Sequence, residues 1–138
     1  MPEEIDMKVE FVQPAGMYHS PVFSQGIIIP ASARILIIGG QNSVNEKGEV
    51  MHKGDVAQQT ALALSNLQKV LEAAGAGLEN LVKTTIIMRA DIDLGAAFAE
   101  WMKVWGGRPN PPTVTALRVA GLANPDFLIE IEAQAVLP

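Results

Sequence analysis

Short apolar runs punctuated by turn residues open the chain, and two longer stretches with helical periodicity interrupt a return to short runs towards its end. "MKVEFV" alternates apolar and polar positions and predicts a first short strand. "VFSQGIIIPASARILIIGGQ" predicts two more strands, with apolar runs at Ile27 to Ile29 and Ile35 to Ile38 and a turn through Pro30 to Arg34. Both runs are too apolar for a strand with one wet face, so burial on both sides or at an interface is expected. The polar "NSVNEKGEVMHKGD" predicts a loop with a small hairpin. A helix follows, with Asp55 as its cap and Thr60, Leu64, Leu67, Leu71 and Ala74 along one face, stopped by Gly75 and Gly77. "NLVKTTIIMRA" is β-branched and predicts a strand. A second helix starts near Asp93, runs through Phe98, Trp101, Met102 and Trp105, and ends at Gly106 and Gly107.

After the Pro109 to Pro112 loop, Thr113 to Leu117 predicts a strand, and "DFLIEIEAQAV" a last one. The order β-β-β-α-β-α-β-β, with antiparallel hairpins at both ends and two helices on one face, describes an α+β layer fold on a mixed sheet. If isoleucine and valine also line the second face of that sheet, copies of the chain must cover it.

Composition sharpens this picture. A chain of 138 residues suits one domain, taken as residues 1–138, and its 49% hydrophobic content is high for that size. The net charge of −5 offers no general attraction to polyphosphate, so no nucleic-acid partner is expected. The absence of cysteine excludes disulfide and thiolate chemistry. An acidic start, "MPEEIDMKVE", lacks the apolar core of a signal peptide, and no apolar run is long enough for a membrane span. A soluble, cytoplasmic protein is expected.

Few residues offer chemistry on their own. No cluster has metal-ligand spacing, and the glycines of "GGQ" precede no helix, which excludes a phosphate loop. His19 and His52 lie in separate loops, and nothing in their spacing makes them an acid–base pair. Trp101 and Trp105, one helical turn apart, read as packing. Glu130 and Glu132 alternate with Ile129 and Ile131, which puts both carboxylates on one strand face about 7 Å apart. That pattern by itself describes an outward polar face more often than a site.

"FSQGIIIPASARILIIGGQ", "AQQTALALSNLQKVLEAAGAGLENLVKTTI" and "FLIEIEAQAV" resemble the Rid family, the reactive intermediate deaminases also called YjgF or L-PSP, from about Met17 to Val136. The resemblance implies a chorismate-mutase-like fold, a homotrimer, and small-molecule clefts between subunits that need no cofactor. It further implies hydrolysis of enamines and imines, such as 2-aminoacrylate, to a 2-keto acid and ammonia. In that chemistry an arginine grips the substrate carboxylate and a glutamate handles water. Glu132 keeps the glutamate position and Gln41 a family glutamine. Elsewhere the pattern is broken. Phe23 stands where the family carries tyrosine, Gly39 where it carries serine, and Val114 where it carries the arginine.

Valine cannot bind a carboxylate, so either the ligand differs or another cation substitutes. Arg108, in the Gly-Gly-Arg-Pro loop, is the first candidate, and Arg118 and Arg89 are others; each reads more readily as a solvated surface cation. Phe23 is either core or cleft wall. Two functions follow from the resemblance: an enamine or imine hydrolase with altered range, using Glu132 with Phe23, Gly39, Gln41, Val114 and Arg108 around the ligand, or a non-catalytic metabolite-binding module. A third, endoribonuclease action, is disfavoured by the acidic charge and the lack of basic or aromatic RNA-facing clusters.

Overall fold

The computed structural model describes residues 8–138. Most of the acidic N-terminal stretch, and Met7 of the first expected strand, lie outside the described residues. The order of elements is β1 (Glu10–Val12), β2 (Gly26–Ile28), β3 (Ile35–Gln41), α1 (Val56–Ala73), a 3₁₀ turn (Leu78–Asn80), β4 (Leu81–Arg89), α2 (Leu94–Trp105), β5 (Thr113–Val119) and β6 (Ile129–Val136). This is the expected α+β order.

Both helix boundaries obey local chemistry. The Asp55 carboxylate accepts from Gln58 N–H at 3.0 Å, and Asp93 accepts from Gly95 N–H at 2.9 Å, each satisfying a donor that the first helical turn leaves open. Beyond α1, Gly75 takes φ +75°, while its N–H donates to Glu72 O and Ala76 N–H donates to Leu71 O. That pair of bonds closes the helix with a left-handed residue, which glycine adopts without a side-chain clash. The polar loop before α1 folds back on itself through a Val44–Val50 bridge, with the Asn45 side chain accepting from Lys47 and Glu49 N–H.

The pairing departs from the expected hairpins. β2 pairs with β1 as a separate antiparallel ribbon, and the main sheet runs β3-β6-β4-β5. β5 lies parallel to β4, because α2 carries the chain back across the sheet between them. β6 therefore pairs with β3 and β4 instead of forming a hairpin with β5. Its own pattern suits that central place: Ile129, Ile131, Ala133 and Ala135 form one unbroken buried row. That row, with Ile38, Leu81 and Met88, packs beneath Ala63, Leu64, Leu67 and Leu71 of α1 and Ala97 and Trp105 of α2.

The opposite face of the sheet is open. Glu130, Glu132 and Gln134 of β6 point to it, as do Lys83, Thr85 and Ile87 of β4 by alternation. Ile35 and Ile37 also lie there, and Ile37 is 74% exposed. The expected burial of both isoleucine runs on two sides is thus not met within one chain. Ile38 is buried under the helices, while Ile28, Ile35 and Ile37 are exposed.

Candidate functional site

Two of the positions singled out in the sequence converge on one cavity. Val114 pairs in register with Thr84, and Thr84 pairs across β4 with Ala133 of the buried row. Partners in a ladder share a face, so Val114 points to the helix side. Phe23 reaches the same place by a different anchor. Ser24 N–H donates to Pro112 O at 3.0 Å and its hydroxyl donates to Pro111 O, which ties the segment before β2 to the start of β5. Between them, under α2, lies a cavity of about 100 Å³ also bounded by Ile86, Phe98 and Trp101. No titratable side chain lines it. Valine at 114 and phenylalanine at 23 leave this lining apolar.

Glu132 is elsewhere. It pairs with Thr85, one step out of phase with Val114 and its partner Thr84, so it stands on the open face. There it borders a depression of about 70 Å³ with Ile37, Lys83, Thr85 and Gln134. Glu132 is exposed in the single chain and does not meet Phe23 or Val114. Lys83 is the cation beside it, and sequence reasoning overlooked it. Its only signal was parity: Lys83 and Thr85 alternate on one face of the strand that pairs with "EIE".

Glu130, on the same face, lies over Gly40, where an added Cβ would collide with the carboxylate group. The ladder is irregular here, the register shifting between Ile38 and Gln41, which explains a Gly-Gly pair inside a strand. Gly39 is exposed with open space around its missing side chain. Gln41 folds back on its own strand, its amide donating to Gly39 O at 3.0 Å, and it borders neither the cavity nor the Glu132 depression.

None of the three arginines replaces the missing cation in the cavity. Arg108 donates from Nη1 to Val104 O at 2.8 Å and to Trp105 O at 2.9 Å, with its guanidinium 5.9 Å from the Trp105 ring centre. It closes the C-terminus of α2, where carbonyls lack helical partners and a cation is favoured. It also borders a wide groove of about 470 Å³ shared with His19 and the outer side of Phe23. Arg118 donates to Ala90 O at 2.9 Å and holds the turn after β4. Arg89 grips Asp91 with two bonds at 2.6 and 2.9 Å. That hydrogen-bonded contact raises the guanidinium's pKa and holds the Asp91 carboxyl below its ordinary value.

His52 sits in the turn before α1, apart from His19, and its backbone carbonyl accepts from Gln59. Trp101 and Trp105 stack with centroids 5.5 Å apart, the packing role their spacing suggested. Among the described residues no group of three or more acidic or histidine side chains is placed to hold a metal ion, and no helix is long and apolar enough to cross a membrane.

Comparison with known proteins bears on what this arrangement is. Residues 17–137 match the family described as Endoribonuclease L-PSP. The chain is 32% identical over 114 residues to the 2-iminobutanoate/2-iminopropanoate deaminase of Rattus norvegicus, covering 83% of this chain and 79% of that protein. Its fold matches the crystal structure of the Rid protein YyfB from Yersinia pestis, described as of unknown function, with a TM-score of 0.82 and 32% identity over 95% of this chain and all of that one. The crystal structure of Escherichia coli TdcF with bound serine matches with a TM-score of 0.68 and 26% identity, over 91% of each chain. With a family match across nearly its whole length and the same two-helix, mixed-sheet architecture, this chain belongs to the Rid family, the YjgF or L-PSP proteins.

Proposed function

We propose that the chain is a cytoplasmic small-molecule enzyme that hydrolyses an imine or enamine, in a cleft completed when three copies assemble, with a substrate range altered by Phe23 and Val114. The convergence of those two positions on one uncharged cavity supports the altered range. The similarity to an imine deaminase over most of the chain supplies the reaction class. In that reaction the oxygen of water bonds to the imine carbon while the C=N electron pair moves to nitrogen, which takes a proton. The carbinolamine then breaks its C–N bond, releasing ammonia and leaving a carbonyl.

Glu132 is the carboxylate that takes the water proton and returns it to nitrogen. Because it stands on the open sheet face, it reaches a ligand only in a cleft formed with a neighbouring copy. The exposed Ile35 and Ile37 beside it suit burial in such a contact. Lys83, in the same depression as Glu132, contributes positive charge to that wall.

A panel of imines generated in place tests the reading: 2-aminoacrylate from a serine dehydratase, and neutral aliphatic and aryl imines from an amine oxidase. Carbonyl release above the spontaneous rate by the wild-type chain, lost in Glu132→Gln, is the expected result. A second reading, metabolite binding without turnover, is favoured by one observation, the lack of any titratable side chain around the cavity. Saturable binding with no acceleration of any imine would select it over hydrolysis.

A further inference from the structure

We infer that the cavity under α2 takes an uncharged, apolar group, so that the ligand of this chain carries a compact hydrocarbon or aryl moiety where a carboxylate would be expected. The inference rests on the small-molecule reading above only in identifying this group as part of the substrate. Occupancy of the cavity itself does not depend on turnover.

Four observations carry it. The lining has no charge, and its aromatic walls, Phe23, Phe98 and Trp101, present ring surface instead of donors. Its hydroxyl protons are engaged with backbone carbonyls: Thr60 Oγ1 donates to Val56 O at 2.7 Å, and Thr84 Oγ1 donates weakly to Thr113 O at 3.5 Å. A water molecule held there needs two to four polar partners, and an anion needs a cation or several donors, so neither is well received. An apolar cavity of about 150 Å³ stays dry and accepts benzene, and the volume here, about 100 Å³, is of the same order.

The fourth observation is access. Leu94 and Phe98, on the first two turns of α2, are 44% and 46% exposed although they border the cavity. They form an apolar lip at the mouth of the cavity.

Toluene and benzoate, one ring with and without a carboxylate, test the seat directly. Methyl signals of Ile86, Ile129 and Val114, followed by NMR in the full chain, report on the cavity. Toluene is expected to shift these signals saturably, and benzoate to bind there at least about tenfold more weakly. Val114→Phe, which fills the space from β5, should abolish the toluene shift. If that variant does not fold, Val114→Ala serves: it enlarges the cavity and should take p-xylene at least about tenfold more tightly than wild type does.

No shift at the solubility limit of toluene, or benzoate binding there as tightly as toluene, would overturn the inference. The imine panel is read separately. Hydrolysis without toluene uptake would remove the cavity as the substrate's seat and leave hydrolysis standing. Toluene uptake without hydrolysis would keep the seat and select the binding reading.

Discussion

Gln59 is wholly buried on α1, and replacing it with alanine should destabilise the chain more than any other single polar substitution in that helix. Its side chain uses both of its ends. Nε2 donates to His52 O at 3.2 Å and to Asp126 O at 3.0 Å, and Oε1 accepts from the N–H of buried Leu128 at 2.9 Å. The residue therefore pins the turn entering α1 to the turn entering β6. Three hydrogen bonds at about 1 kcal/mol each, one of them leaving a buried N–H without its partner, contribute roughly 3 kcal/mol. The one lost methylene adds about 0.8 kcal/mol. Water entering the vacated space recovers part of this, so a net loss of about 2–4 kcal/mol is expected. For a chain of this size that lowers the melting temperature by roughly 6–15 °C. Urea unfolding of Gln59→Ala and wild type at one fixed chain concentration measures it, the concentration being held because association adds to apparent stability. A loss under about 1 kcal/mol with an unchanged urea slope would refute the claim that this clip holds the two turns.

Other substitutions probe the remaining features. Ile37→Lys puts a charge at the most exposed apolar position of the open sheet face and should shift the species in sedimentation to a lighter one without loss of helical signal, whereas unchanged mass would show that this face is not an interface. Gly75→Ala meets no neighbouring atom, so its cost, about 1 kcal/mol or roughly 3 °C, is that of an L-residue at φ +75° alone, and an unchanged melting temperature would contradict that account. The Asp91 carboxyl is held below its ordinary value by Arg89, so its stabilisation is present above the ordinary aspartate range and is lost as pH falls through the lowered folded value. Asp91→Asn should therefore be the less stable chain at neutral pH, with the difference closing in strong acid and shrinking in high salt; a difference independent of pH would exclude the ion pair as its cause.

How much of this was legible in the sequence varies with the range of the interaction. Asp55, Asp93, Gly75 and Gly106 mark helix ends because caps and left-handed stops act over three or four residues, and all four stand where that local chemistry puts them. The family resemblance was equally legible, since it depends on residue order alone, and the family match and fold neighbours support it. Strand partners were not. The second and last strands each look like the arm of a hairpin with its neighbour in sequence, yet β2 pairs back to β1 and β6 inserts between β3 and β4. Gln59 was missed for the same reason: its three partners include residues 67 and 69 positions away.

By itself, then, the sequence determined the kind and order of the elements, the helix ends, the family, and the identities of Phe23 and Val114 that make one wall uncharged. Only the tertiary structure decided which candidates share a space. One residue of phase along paired strands separates Val114, with Thr84 on the helix side, from Glu132, with Thr85 on the open face. Phe23 reaches Val114 through Ser24's bonds to two distant prolines, and Arg108 is occupied by the end of α2. Side-chain parity in a strand has a period of two residues, so a face is assigned only when the ladder's register and the covering helices are known.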